Sequence, residues 1–285
     1  MKPASKRLAS RQQTDDDTDP AIGRMLVSSW QSMTPCARLA RAVSIASAVD
    51  LLARAGARAR SRPGSEQWMT YAEARLGRAA AVAVYGAGEG TSLEAGGPMD
   101  HLAVLLRVVD ALNRCGIDYV VGGSLASSMS GEPRATVDVD LMIDLSADRI
   151  RCLVNALGED FYAEEASLAR AVRNRSHANV VHRATVTKID LFIMGATPIE
   201  PQQMRRRRLV KLETIPAELY VYTPEDILLQ KLRWFRLGGE VSDRQWQDVQ
   251  GIVAVQGERL DLEYLRRAAE VVGVGDLLER VLRLR

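Results

Sequence analysis

Val120-Val121-Gly122-Gly123-Ser124 and, a few residues on, Gly131-Glu132-Pro133-Arg134-Ala135-Thr136-Val137-Asp138-Val139-Asp140-Leu141 are the two runs around which the chain is organised. They read as a strand, a glycine turn, a short helix and a second strand that carries two carboxylates. Side chains alternate along a strand, so Asp138 and Asp140 are expected on one face. Two neighbouring carboxylates repel unless a cation lies between them, and Mg²⁺ suits an all-oxygen site beside phosphates. Gly122 and Gly123 let the backbone approach a ligand, and Ser124 is placed to cap the helix. A helix N-terminus offers free N–H groups to a phosphate. One short unit thus supplies a phosphate cradle and a metal-binding pair.

Gly-Gly-Ser followed by Arg134-x-Thr136-x-Asp138-x-Asp140 resembles the nucleotidyltransferase (polymerase-beta-like) superfamily. More narrowly it resembles the branch of AbiEii and MenT toxins of type IV toxin–antitoxin systems and their uncharacterised bacterial relatives. The resemblance implies an α/β nucleotidyltransferase fold, a mixed sheet flanked by helices, over about residues 99–285. It also implies a third acid on a later strand, which Lys188-Ile189-Asp190-Leu191-Phe192-Ile193 supplies as Asp190. Asp138, Asp140 and Asp190 would then hold two Mg²⁺ ions, with Asp190 nearest the attacking hydroxyl. The implied reaction moves an NMP from an NTP to a hydroxyl of RNA (a tRNA 3′ end), a protein or a small molecule, and the chain would be a type IV toxin-like enzyme. The competing expectation is a catalytically idle fold kept as a binding or toxin–antitoxin-like interaction module.

Further residues fit the implied site. Lys231, in Pro224-Glu225-Asp226-Ile227-Leu228-Leu229-Gln230-Lys231-Leu232, resembles the lysine helix of the AbiEii-like branch, whose lysine faces the nucleotide phosphates. Burying an unpaired ammonium among leucines is costly, which itself asks for a partner. Arg244 and Asp248 resemble the next motif, Arg-x-x-x-Asp, and at i and i+4 they also suit a helix salt bridge. Arg134 is placed either to fork onto a phosphate or to pair with a loop acid such as Glu132. Thr136 shares the face of Asp138 and is expected to position a carboxylate. Gly122, Gly123, Ser124, Arg134, Thr136, Lys231, Arg244 and Asp248 thus make up the expected nucleotide-binding set. The run Arg205-Arg206-Arg207-Arg208 with Lys211 is the densest basic patch, read as a solvated face or an RNA backbone contact without interleaved aromatics.

With 285 residues the chain has room for one large or two small domains. Hydrophobic content of 47%, charged content of 26% and a net charge of +2 are those of an ordinary globular protein. They exclude a globally basic nucleic-acid binder. Cys36, Cys115 and Cys152 are odd in number and far apart, so no disulfide framework or zinc spacing is expected, and each reads as a small buried apolar residue. Lys2, Lys6, Arg7 and Arg11 lead into Asp15-Asp16-Asp17 rather than an apolar run, so neither a signal peptide nor a membrane span is expected, and the cytoplasm is the expected compartment.

Residues 1–18 read as a disordered tail. Residues 19–86 read as a three-helix domain: one helix from Asp19-Pro20, a second from Thr34-Pro35 with Leu39, Val43, Ile45, Ala46, Val49, Leu51 and Leu52 as its apolar positions, and a third from Ser65 to Tyr85-Gly86. Trp30-Gln31-Ser32-Met33-Thr34-Pro35, Leu52-Ala53-Arg54-Ala55-Gly56 and Leu76-Gly77 with Tyr85-Gly86 resemble a small bacterial helical family of unknown function. The segment is read as a packing or dimerisation module, with an antitoxin-like cover over the cleft, in cis or in a homodimer, as the sharper alternative. Residues 87–98 form a glycine-rich linker. A catalytic α/β core is expected over 99–222, with strands near 117–121, 138–143, 161–163, 179–182, 188–193, 209–213 and 219–222. A helical part follows over 223–285, opened by Thr223 as cap and Pro224 in the first turn.

Overall fold

The computed structural model describes residues 20–61, 65–86, 101–136, 138–212 and 216–284. The expected tail and glycine-rich linker lie outside the described residues. The N-terminal helices are α1 (Pro20–Ser32), α2 (Pro35–Arg60), α3 (Ser65–Leu76) and α4 (Arg78–Tyr85). Thr34 caps α2 by accepting from the Ala37 amide at 3.0 Å, as the Thr-Pro pair predicts. The expected third helix is broken in two, because Gly77 adopts φ +79° and turns the chain between α3 and α4. The inner face of α2 also differs from expectation. Leu39, Ala42, Ala46 and Ala57 are buried, whereas Val49, Leu51 and Leu52 face outward. Small alanines on one face let the helix lie close to its neighbours, and a count of large apolar residues hides that.

The rest of the chain builds α5 (His101–Arg114), β1 (Tyr119–Val121), α6 (Gly123–Ser130), β2 (Val139–Ile143), α7 (Ile150–Leu157), β3 (Phe161–Tyr162), α8 (Glu165–Asn174), β4 (His177–His182), β5 (Thr187–Ile193), α9 (Glu200–Arg206), β6 (Arg208–Lys211) and β7 (Glu218–Val221). Four helices close it: α10 (Pro224–Leu237), α11 (Asp243–Gln256), α12 (Leu262–Val272) and α13 (Gly275–Leu282). Helices α8 and α9 were not expected; each is short and lies between two strands that the alternation pattern does reveal. Among the described residues seven strands form one mixed sheet in the order β3-β4-β5-β2-β1-β7-β6. β2 runs parallel to β5 and antiparallel to β1, while β1 runs parallel to β7. The architecture is α/β, a mixed sheet flanked by helices, with a helical C-terminal part.

Helix α2 shares the main core, while α3 and α4 pack on the sheet through a second cluster. Cys36 and Leu39 of α2 belong to the same buried cluster as Leu125 and Met129 of α6. Buried Arg38 fixes this contact by donating to the Met129 carbonyl at 2.8 Å and to the Trp30 and Met33 carbonyls at 2.8 and 2.7 Å. A second cluster, Trp68, Tyr71, Ala72, Ala81, Val84 and Tyr85, packs α3 and α4 on Val181 and Val186 beside β4. Within it Asp50 pairs with Arg54 and Arg75 and accepts from the Tyr71 hydroxyl, so the buried acid is fully partnered.

The cysteine expectation needs correction. Cys115, just after α5, and Cys152 in α7 form a disulfide with Cα atoms 5.9 Å apart. Their 37-residue separation spans β1, α6 and β2, and only the folded topology sets the two helices side by side. Cys36 is buried and lies outside the disulfide, a small apolar residue as expected. No described helix is long and apolar enough to cross a membrane.

Candidate functional site

The sheet register builds the site. Asp140 on β2 lies directly beside Asp190 on the parallel strand β5, and Asp190 is in turn opposite Asn179 on β4. The charge of Asp190 raises the cost of ionising Asp140. Burial first, then the charges of Asp190 and Asp138, push Asp140 up to about 6 from its ordinary 3.8, although Lys231 and Lys188 pull the other way. One oxygen of Asp190, Oδ1, is buried with no hydrogen-bond partner. Its other oxygen, Oδ2, receives the Lys188 ammonium at 2.9 Å. Burial works against the charge on Lys188, but Asp190, Asp138 and Asp140 outweigh it and hold its pKa above the ordinary value.

The glycine turn closes onto the same carboxylate. Gly122 donates its N–H to the Asp140 carbonyl at 2.9 Å. Gly123 has φ +56°, and a Cβ there would stand 1.7 Å from Asp140 Oδ2. Two independent demands, the left-handed backbone and the absence of space, therefore require glycine at 123. The helix starts at Gly123 with Gly122 as its cap, so Ser124 does not cap it. Its hydroxyl instead accepts from Arg134 Nη2 at 2.6 Å. The strand β2 begins only at Val139, so Asp138 stands just before the ladder, where alternation no longer dictates its direction. It lines a small pocket with Thr136, His101 and Val43 of α2. The Thr136 hydroxyl donates to the backbone carbonyl of Asp138 at 3.2 Å rather than to a carboxylate.

Lys231 and Asp248 form the second half of the site. Lys231 on α10 is buried and its ammonium lies 2.7 Å from Asp248 Oδ2 on α11. Arg134 reaches the same carboxylate with Nε and, at 2.7 Å, with Nη2. This contact across 114 residues depends on two glycines. A Cβ at Gly131 would lie 2.7 Å from the Ile252 amide, and one at Gly251 would press on Glu132, so the loop before β2 can rest directly on α11. Burial raises the Asp248 pKa, but the hydrogen bonds and charges of Arg134 and Lys231 prevail and bring it below the ordinary value. Burial lowers Lys231, an effect that Asp248 only partly offsets. Arg134 is thus committed to Asp248 and Ser124, and not to Glu132. Arg244, in the first turn of α11, is exposed and makes no pair with Asp248.

Gly122, Gly123, Ser124, Asp140 and Lys231 open on one cleft of about 480 Å³. Its far wall carries residues that the sequence reading passed over. Trp234, 43% exposed on α10, stands 5.7 Å from Phe192, which stands 5.6 Å from His177. Lys188 was likewise passed over, although its i, i+2 spacing from Asp190 on a strand places the two on one face. Of the basic run, Arg206 pairs with Asp226 and lies over Tyr264, and Arg207 pairs with Asp118 and lies over Tyr220, so two of the four arginines are engaged within the fold.

The fit to Mg²⁺ is partial. Asp140 and Asp190 in register, with an orphaned buried oxygen and an ammonium already drawn to the pair, make a place for a cation that phosphate oxygens would complete. Among the described residues, however, no three acid, histidine or cysteine side chains converge closely enough to share a metal ion.

No known protein-family pattern matches the chain, and no curated protein resembles it in sequence. Among solved structures it is similar to an antigenic nucleotidyltransferase-like protein from Paracoccidioides brasiliensis (TM-score 0.37, 19% identity, 65% of this chain and 93% of that one). It is also similar to the antibiotic-resistance factor ANT(2'')-Ia in solution (0.37, 14%, 66% and 100%) and in complex with adenylyl-2''-tobramycin (0.38, 12%, 59% and 95%). Likenesses this distant do not assign an activity to the chain.

Proposed function

We propose that the protein is a nucleotidyltransferase that moves an NMP from an NTP to a hydroxyl acceptor. The observation that carries this reading is the abutment of Gly123 on Asp140: a turn that admits no side chain, closed against a carboxylate whose neighbour Asp190 has a buried unpaired oxygen. Such a turn leaves backbone N–H groups of the α6 N-terminus facing the cleft, where triphosphate oxygens accept them. Lys231 lines the same cleft and adds positive charge beside the phosphates, held in place by Asp248, which Arg134 orients in turn. Arg134 and Asp248 are positioning residues; Thr136 and Ser124 steady the loop that carries Asp138. The Asp190 carboxylate takes the proton of the attacking hydroxyl. Asp140 and Asp190, with Asp138 close enough to act on Asp140 electrostatically, are the residues that would hold Mg²⁺, which when bound neutralises phosphate charge and favours departure of pyrophosphate.

The acceptor belongs to RNA, a protein or a small molecule, and a toxin-like role is one form of the proposal. The test is incubation of the purified chain with each α-labelled NTP, Mg²⁺, total cellular RNA and protein, beside the Asp138→Asn/Asp140→Asn double variant. Label transferred by the wild type alone supports the reading. Absence of both transfer and Mg²⁺-dependent NTP binding would remove it and leave a fold kept for binding. For toxicity, expression of the full chain should harm the host while the same chain with Asp138 and Asp140 replaced does not.

A further inference from the structure

The carboxylate face of the sheet holds a second cleft. It has a volume of about 400 Å³ and lies over β4 and β5, between α8 and the α3–α4 pair. Ala80, Ala83 and Val84 of α4 form one wall, Ser167 and Arg170 of α8 another, and Asn179 and Lys188 lie on the strands beneath. The α4 wall is fixed: the Tyr85 hydroxyl donates to the Arg183 carbonyl at 2.8 Å, and Arg183 donates to the Val84 carbonyl at 2.6 Å. His177 lines both clefts, and Lys188 on the floor of the second holds Asp190. The register sets Asp140, Asp190 and Asn179 in one row across β2, β5 and β4. Asp190 therefore stands in this row between Asp140, which lines the first cleft beside the glycine turn, and Asn179, which lines the second.

We infer that this second cleft is the acceptor site, and that the N-terminal helices serve as its wall. The inference rests on the nucleotidyltransfer reading and deepens it. Displacement at phosphorus is in line, so the attacking oxygen must enter opposite the departing pyrophosphate. With the phosphates on the α6 turn and Lys231, the opposite side is that of β4. The acceptor oxygen bonds to the α-phosphorus, its proton passes to Asp190, and the α–β bridging bond breaks with its electron pair leaving on pyrophosphate. The lining mixes an amide (Asn179), hydroxyls (Ser167, Tyr162), one acid (Glu164) and three basic side chains (Arg170, His177 and the Lys188 that Asp190 holds) with apolar groups. That set of donors and acceptors suits a polyhydroxylated, sugar-type acceptor, and the volume falls within the range of small-molecule pockets. The sugar is either a free saccharide or the terminal ribose of an RNA.

Ala83→Trp and Arg170→Glu, which alter only the second cleft, test the inference beside wild type and Ala83→Ser, with melting curves to establish that each folds. Three affinities are measured: a non-hydrolysable ATP analogue, maltose, and an octaribonucleotide with a free 3′-terminal diol. Wild type and Ala83→Ser should bind one of the two acceptor probes, and the two cleft variants should bind it at least tenfold more weakly with nucleotide affinity within twofold of wild type. Maltose as the bound probe makes the acceptor a free saccharide; the oligonucleotide makes it an RNA end. Acceptor binding unchanged in both cleft variants, or absent from the wild type for both probes, overturns the inference. Loss of nucleotide binding in the wild type with acceptor binding intact sinks the nucleotidyltransfer reading and leaves the cleft as a sugar site.

Discussion

Asp140 on β2 and Asp248 on α11 both feel the charge of Lys231, and burial works against ionisation of each. They end on opposite sides of the ordinary carboxylate value. Asp248 has a guanidinium forked onto it and an ammonium at 2.7 Å, so its charge is fully answered by the protein. Asp140 faces Asp190 and Asp138, and the cations near it do not balance them. An acid that the fold has satisfied is a structural element. An acid that the fold has left in deficit awaits something from outside. The fold thus separates a carboxylate that its own cations neutralise from a carboxylate pair that they do not.

The strongest way to break this contrast is Asp248→Ala. It would leave Arg134 and buried Lys231 without their common anion, an arrangement that typically costs about 3–5 kcal/mol. Urea unfolding should show that loss, and nucleotide binding should fall with it because Lys231 and Ser124 lose their positions. A stability within about 0.5 kcal/mol of wild type would mean that Asp248 is not the structural member of the pair.

Asp140→Asn should act in the other direction. Its folded pKa of about 6 lies above the unfolded 3.8, so the folded state disfavours the charge. The resulting destabilisation is absent below about pH 4, grows through the interval to pH 6 and is complete at pH 7. About two units at ~1.4 kcal/mol each set a ceiling near 3 kcal/mol, and contact with the open cleft brings the expected gain of the variant at pH 7 to about 1–2 kcal/mol. The same variant should lose transfer. Chemical unfolding at pH 4 and pH 7 checks both ends, and a variant less stable than wild type at pH 7 would mean that Asp140 is not in deficit.

The carboxylate cluster around Asp140 was far more legible in the sequence than the one around Asp248. Gly122-Gly123 and Asp140 are near in sequence and follow from local rules of turns and strands, and the Thr223-Pro224 start of the Lys231 helix is equally local. The Arg134–Asp248 fork joins residues 114 positions apart through two glycine contacts that no local pattern contains. The Cys115–Cys152 bridge and the inward alanines of α2 are hidden for the same reason: each depends on which helices become neighbours. Gly77 was visible as a residue, but only its φ of +79° shows that it divides a helix. Lys188 could have been found. It lies two positions before Asp190 on an alternating strand, and a lysine on the face of an acid pair is as informative as the acids themselves.

Lys188→Met gives the smallest effect and the sharpest view of the deficit. The ammonium lies against Asp190 and within electrostatic reach of Asp138 and Asp140, so it stands where added positive charge is most needed. Its side chain is 27% exposed, so screening limits its contribution to about 1 kcal/mol, a fall of about 2–4 °C in melting temperature. Removing it should raise the Asp140 pKa further. If the carboxylates form a cation site, millimolar Mg²⁺ should restore most of the loss, and it should raise the melting temperature of Lys188→Met more than that of wild type, where the lysine already competes. Ca²⁺ should substitute in stability, because both ions take oxygen ligands, while Na⁺ at equal ionic strength should not. An equal response of wild type and variant to Mg²⁺ would place the ion elsewhere. It would leave Lys188 as the counterion on which the carboxylate pair relies.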